Sequence, residues 1–180
     1  MKTRGTALAG VLLTTITTAG LGVATAPSAH AAREVVVDEA GDTTKNRLDI
    51  THVTLRNNDR RIVARVEFAR EVAGDLIVSV DPRRDTGIRL IAERKRDGSV
   101  RSSVLPGAFT DREGDDATEP TCTDLKVRWR GTVARLALPS RCLHDGDYGA
   151  LRFSVLTENG GDSDYAPETE TGATGWVARG

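Results

Sequence analysis

Beyond residue 53 the chain alternates apolar and polar positions with a period of two, the pattern of strands buried on one face. In "RIVARVEFA", Ile62, Ala64, Val66 and Phe68 share one side, and Arg61, Val63, Arg65 and Glu67 share the other. "GDLIVSVD" places Leu76, Val78 and Val80 together. "TDLKVRW" sets Leu125, Val127 and Trp129 against Lys126, Arg128 and Arg130. "TVARLALP" sets Ala134, Leu136 and Leu138 against Val133, Arg135 and Ala137, and "YGALRFSVLTE" aligns Leu151, Phe153 and Val155. "TGIRLIAERK" and "GSVRSSVL" are joined by Asp97-Gly98, a strong hairpin signal.

Asn57-Asn58-Asp59 and Gly131 read as further tight turns, and "PSRCLHDG" as a short helical turn with Pro139 at its start. Strand pairs at short spacing without a long helical pattern predict an all-β fold, an antiparallel, jelly-roll-like β-sandwich. One domain over residues 32–180 is expected, with a mobile acidic loop near 106–121 and a loose C-terminal segment in which Tyr165 and Trp176 pack back on the sandwich. Arginines alternating with apolar residues mark solvated outer faces; the rival reading is a sheet face that grips an acidic polymer.

Residues 1–31 are read as a secretory signal peptide: Lys2 and Arg4, an uncharged apolar stretch, and Ala29-His30-Ala31 as a small-x-small cleavage site. Its removal takes Lys2 and Arg4 from the 25 basic residues and leaves all 26 acidic ones, a charge of about −3. Such a balance argues against a nucleic-acid partner, and no later apolar run is long enough to span a bilayer. The chain is thus expected to be secreted. Its two cysteines, Cys122 and Cys142, are expected to form one disulfide that closes a loop of roughly 20 residues and contributes about 3 kcal/mol in the chain-entropy model.

Catalytic patterns are thin. Two histidines, His52 and His144, remain after export, without a Gly-x-Ser-x-Gly elbow or a His-Glu-x-x-His helix. No enzyme is expected; if there were one, paired carboxylates would be its tool. Four acidic-glycine turns, "DEAGD", "REGDD", "HDGDYG" and "NGGDSD", raise the question of calcium, which takes six to eight oxygen ligands. Asp38, Asp42, Asp162 and Asp164 are the candidate ligands for a structural calcium built by loops meeting at one end of the sandwich. The alternative is a set of turns in which Asp caps the backbone and no cofactor is held. Trp176 is either a plug closing the sandwich, the favoured reading, or a platform for a ring, which makes it the candidate ligand-binding residue.

"DEAGDTTKNRLDITHVTL", "VARLALPSRCL", "ALRFSVLTE" and "DYAP" followed by a tryptophan together resemble small exported bacterial β-sandwich proteins of unassigned function. Those are similar to family 9 carbohydrate-binding modules and DOMON-like sandwiches. The resemblance implies a jelly-roll-like sandwich that binds sugar or haem. The Met–His haem pair of DOMON domains has no counterpart here, because the one methionine is Met1, and neither tryptophan aligns with the sugar clamp of the carbohydrate modules. The expected function is a non-catalytic domain binding a polysaccharide or cell-wall glycan. The alternatives are a structural or protein-interaction protein without a small ligand, and a carboxylate-based hydrolase.

Overall fold

The computed structural model describes residues 32–43, 45, 47–83, 86–109 and 122–180. The expected signal peptide and residues 110–121 of the acidic loop lie outside them. Among the described residues the strands are β1 (Arg33–Val37), β2 (Ile50–Asn58), β3 (Arg61–Phe68), β4 (Gly74–Pro82), β5 (Ile88–Arg94), β6 (Val100–Pro106), β7 (Lys126–Arg130), β8 (Val133–Pro139), β9 (Leu151–Glu158) and β10 (Ser163–Ala166). They build two five-stranded antiparallel sheets, β1-β2-β3-β8-β7 and β10-β9-β4-β5-β6. The architecture is the all-β sandwich that the alternation predicts. No helix among the described residues is long and apolar enough to cross a membrane.

The alternation also assigns the faces. Ile62, Ala64 and Val66 of β3, Leu76, Val78 and Val80 of β4, Leu136 and Leu138 of β8, and Phe153 and Val155 of β9 are all fully buried between the sheets. Each Val, Leu, Ile or Phe side chain that leaves water for this layer contributes about 1.5–3 kcal/mol. Trp129 is core, stacked on Phe68 with ring centroids 5.2 Å apart. The Asp97-Gly98 hairpin forms, with Gly98 at φ 83° and Asp97 Oδ1 accepting from Ser99 N at 2.9 Å. "PSRCLHDG" folds as two short 3-10 turns, Ser140–Cys142 and His144–Gly146. Cys122 and Cys142 are joined in a disulfide, with Cα atoms 5.6 Å apart.

The C-terminal segment, expected to be loose, is tied down at several points. Val177 exchanges both backbone hydrogen bonds with Leu151, Thr174 N donates to Phe153 O, and Gly180 N donates to Asn57 O. The fully buried Asn57 side chain donates from Nδ2 to the carbonyls of Gly149 and Val177, both at 3.0 Å. The plug, however, is Val177 rather than Trp176. Val177 is buried, while Trp176 is 41% and Tyr165 47% exposed. Backbone pairing with Leu151 turns Val177 inward, which leaves its neighbour in sequence facing out.

Candidate functional site

At one end of the sandwich the loop between β1 and β2 meets β10, and four acidic side chains converge there. Asp38 follows β1 directly, and its N–H donates to Thr51 O at 3.1 Å, so the last turn of the β1–β2 pairing fixes its position. Asp42 comes from the turn opened by Gly41, whose φ of 94° favours glycine. Asp164 sits on β10 in the other sheet. Carboxylate oxygens of Asp38, Asp42 and Asp164 lie within 4.8 Å of one another. The fourth member is Asp49, which is 1% exposed and precedes β2.

Hydrogen bonds hold the frame of this cluster but leave oxygens over. Asp164 Oδ2 accepts from Ile50 N at 2.6 Å, which pins the start of β2 to β10 across the two sheets. Asp49 Oδ2 accepts from Gly41 N at 2.7 Å and folds the loop back on itself. Asp49 Oδ1, Asp38 Oδ2 and Thr43 Oγ1 are buried without a hydrogen-bond partner. A buried acceptor without a partner costs free energy, about 1–3 kcal/mol and more for a charged group, so native structures rarely leave one idle.

Electrostatics point the same way. Burial, then the charges of Asp164, Asp42, Glu168 and Asp49, push the Asp38 carboxyl up to about 7. Asp164 is pushed up to about 6, first by burial and then by Asp42 and Asp49, against the lowering effect of the Ile50 and Tyr165 N–H groups. Burial also raises Asp49, an effect opposed by the Gly41 hydrogen bond, increased by Asp42 and opposed again by Arg70. Like charges this close disfavour one another's ionised form until a cation joins them. The donor set is all hard oxygen, drawn from a loop and a strand, which suits calcium and its irregular shell better than magnesium with its demand for a strict octahedron.

Of the expected ligands, the fold thus brings together Asp38, Asp42 and Asp164. Asp162 lies two residues from Asp164 but spends both oxygens on backbone: Oδ1 accepts from Lys45 N at 3.1 Å and Oδ2 from Arg47 N at 3.2 Å. It organises the loop that carries Asp42. Asp49 is absent from the expected set, although the Asp-Ile pair before a strand is visible in the sequence.

Trp176 belongs to a second site on a different surface. The Arg83 guanidinium lies 4.8 Å and that of Arg152 5.2 Å from its ring centroid. Arg152 also lies 5.6 Å from the centroid of the exposed Phe109, and its Nε donates to Asp81 Oδ2 at 2.7 Å. The result is an exposed aromatic pair bridged by an arginine that a buried aspartate holds in place.

Carboxylates also meet on the outer face of the second sheet. Glu158, Asp75 and Glu93 stand directly opposite one another on β9, β4 and β5. They line a cleft of about 820 Å³ together with Arg47, Arg94 and Lys95. Burial, and then the charge of Glu93, raises the Asp75 carboxyl above its ordinary value. No family model, curated protein or solved structure matches the chain.

Proposed function

We propose that the chain is an exported, non-catalytic β-sandwich module that binds one calcium ion at Asp38, Asp42 and Asp164 and presents Trp176 to a glycan. The observation that carries the calcium site is the convergence of three carboxylates beside the buried, partnerless Oδ1 of Asp49. Three carboxylates offer up to six oxygens, Asp49 and Thr43 stand next in line, and water completes the shell. The ion would neutralise a half-buried negative cluster and tie the β1–β2 loop of one sheet to β10 of the other. The Cys122–Cys142 disulfide supports an oxidising compartment.

Calorimetric titration of chelator-treated protein with CaCl₂ at pH 7.5 tests the metal site. One saturable site that Asp42→Asn weakens is the predicted result, and the absence of a saturable site would remove it. The glycan part rests on the exposure of Trp176 and the aromatic–arginine platform around it. Insoluble polysaccharides should retain the protein and should fail to retain Trp176→Ala. No retention on any of them removes this ligand class.

The cleft favours a second reading, a carboxylate-based hydrolase. Register sets Asp75 directly opposite Glu93, the juxtaposition of two carboxyls that glycoside hydrolysis employs, with the raised Asp75 as the acid. Release of reducing sugar from a polysaccharide panel, abolished in Asp75→Asn and Glu93→Gln, would establish it. Its absence leaves the module non-catalytic toward these substrates.

A further inference from the structure

The outer face of the first sheet carries a charge pattern that neither the calcium site nor Trp176 uses. Register sets Arg128 opposite Arg135, and Arg135 opposite Arg65, so three guanidinium groups line up across β7, β8 and β3. Beside this line Arg33 of β1 stands opposite Arg56 of β2. Strand alternation puts Lys126, Arg130 and Arg61 on the same face. Within these five strands Glu67 is the only carboxylate facing that side, and Arg65 already pairs with it. None of the other cations on the face forms a salt bridge with a described residue.

This segregation has a cost in the free protein. Like charges directly opposite one another destabilise a sheet, on the scale of roughly 0.2–1 kcal/mol for a cross-strand pair, and the face repeats the arrangement three times. The chain as a whole is formally at −1, so the basic face reflects the placement of charges and not an excess of them. A shallow groove of about 570 Å³ runs over the face, floored by Thr54 and Val63 and bordered by Arg56, Arg61, Arg65 and Arg135.

We propose that this face binds an acidic polysaccharide, laid across the strands with its carboxylates on the arginine line. Strands lie about 4.7–4.9 Å apart, which supplies one guanidinium per strand at a repeat comparable to a single sugar residue of a uronic-acid polymer. Nearly all the cations are arginine, whose planar fork takes a carboxylate through two parallel hydrogen bonds where lysine offers only a point charge. The face carries no tryptophan, tyrosine or phenylalanine, and its one imidazole, His52, stands opposite Glu67, so the row of stacking rings that holds single-stranded nucleic acid is missing. Its apolar members, Val35, Val37, Val63, Val133, Ala137 and Pro139, are short side chains between the arginines, not the large wedges that enter a lipid surface. None of these residues belongs to the acidic cluster, and the binding needs no calcium.

The test is affinity electrophoresis of the oxidised protein in gels containing polygalacturonate, with neutral dextran, an oligothymidylate and phosphatidylglycerol vesicles assayed in parallel. Polygalacturonate should retard the protein and dextran should not. Raising NaCl from 0.02 to 0.2 M should weaken the retardation by about tenfold, because screening shortens the reach of the face. Arg128→Gln combined with Arg135→Gln, both at exposed positions, should weaken it by a similar factor of about ten with the melting temperature kept or raised, since the double variant removes two like-charge pairs and no buried contact. Arg33→Gln with Arg56→Gln should act in the same direction, and Asp42→Asn and Trp176→Ala should leave it unchanged. No retardation at low salt, undiminished retardation in both arginine variants, or tighter binding of the oligonucleotide or vesicles than of polygalacturonate would each overturn the proposal.

Discussion

Asp42→Asn should reverse its effect on stability when calcium is added. Asp42 is exposed, and its charge raises the carboxyls of Asp38, Asp49 and Asp164. In the metal-free protein the substitution therefore removes repulsion. A pair of unit charges 4 Å apart in water interacts by about 1 kcal/mol, and Asp38, pushed up to about 7, is partly protonated at neutral pH, so the net gain is about 1 kcal/mol. For a domain of this size that raises Tm by about 2–4 °C. In calcium at a hundred times its Kd, the wild-type protein gains about 2.7 kcal/mol, and a variant bound tenfold more weakly gains about 1.4 kcal/mol at the same concentration. The loss of gain, about 1.3 kcal/mol, offsets the metal-free advantage. Melting curves of both proteins, in chelator and in CaCl₂, measure the four quantities needed. Asp42→Asn should melt above wild type in chelator and respond to calcium by only about half as much. A variant that melts below wild type in chelator, or that keeps the full calcium response, would refute the electrostatic reasoning.

The remaining predictions use other parts of the molecule. Because Asp38 and Asp164 titrate in the folded state near 7 and 6, above their unfolded value of 3.8, the metal-free protein holds protons that the unfolded chain releases. Its stability should therefore fall as pH rises from about 4 to 7, by about 1–2 kcal/mol after allowing for solvent screening, and calcium should remove that slope; a denaturation series rising over this window would contradict it. Replacing both Cys122 and Cys142 by Ser should cost about 3 kcal/mol, and non-reducing peptide mapping should find the two joined, not as free thiols. Trp129→Ala opens the core beside Phe68 and should cost about 3–5 kcal/mol in a denaturant series, whereas Trp176→Ala should stay within about 0.5 kcal/mol; equal losses would mean that Trp176 is part of the core after all.

Strand faces were legible because burial on one side of a pleated sheet imposes a period of two, and the fully buried side chains of β3, β4, β8 and β9 follow it. The proposed cation site was legible only in part. Asp38, Asp42 and Asp164 stand out as acids in glycine turns, but Asp162 has the same local look and is used to accept backbone N–H groups instead. Asp162 and Asp164, two residues apart, face the same way; what separates them is which stretch of the β1–β2 loop each meets, Lys45 and Arg47 for Asp162 and Ile50 beside Asp38 and Asp42 for Asp164, a tertiary fact. Asp49 carries no mark in the sequence because an acid before a strand is ordinary until a second sheet buries it. In the tail no alternation runs long enough to set a phase, so the choice between Trp176 and Val177 as plug could not be made from sequence. The basic face shows the limit of net charge as a guide. A formal sum near zero hides a sheet surface on which basic side chains far outnumber acidic ones, and only the register of five strands reveals it.

Crystals grown with CaCl₂ and measured for anomalous scattering give the most direct check on the cation site. The structure predicts a single strong peak at the end of the sandwich, about 2.3–2.6 Å from carboxylate oxygens of Asp38, Asp42 and Asp164. A map with no peak there, and those carboxylates hydrogen-bonded to one another through retained protons at pH 7.5, would contradict it.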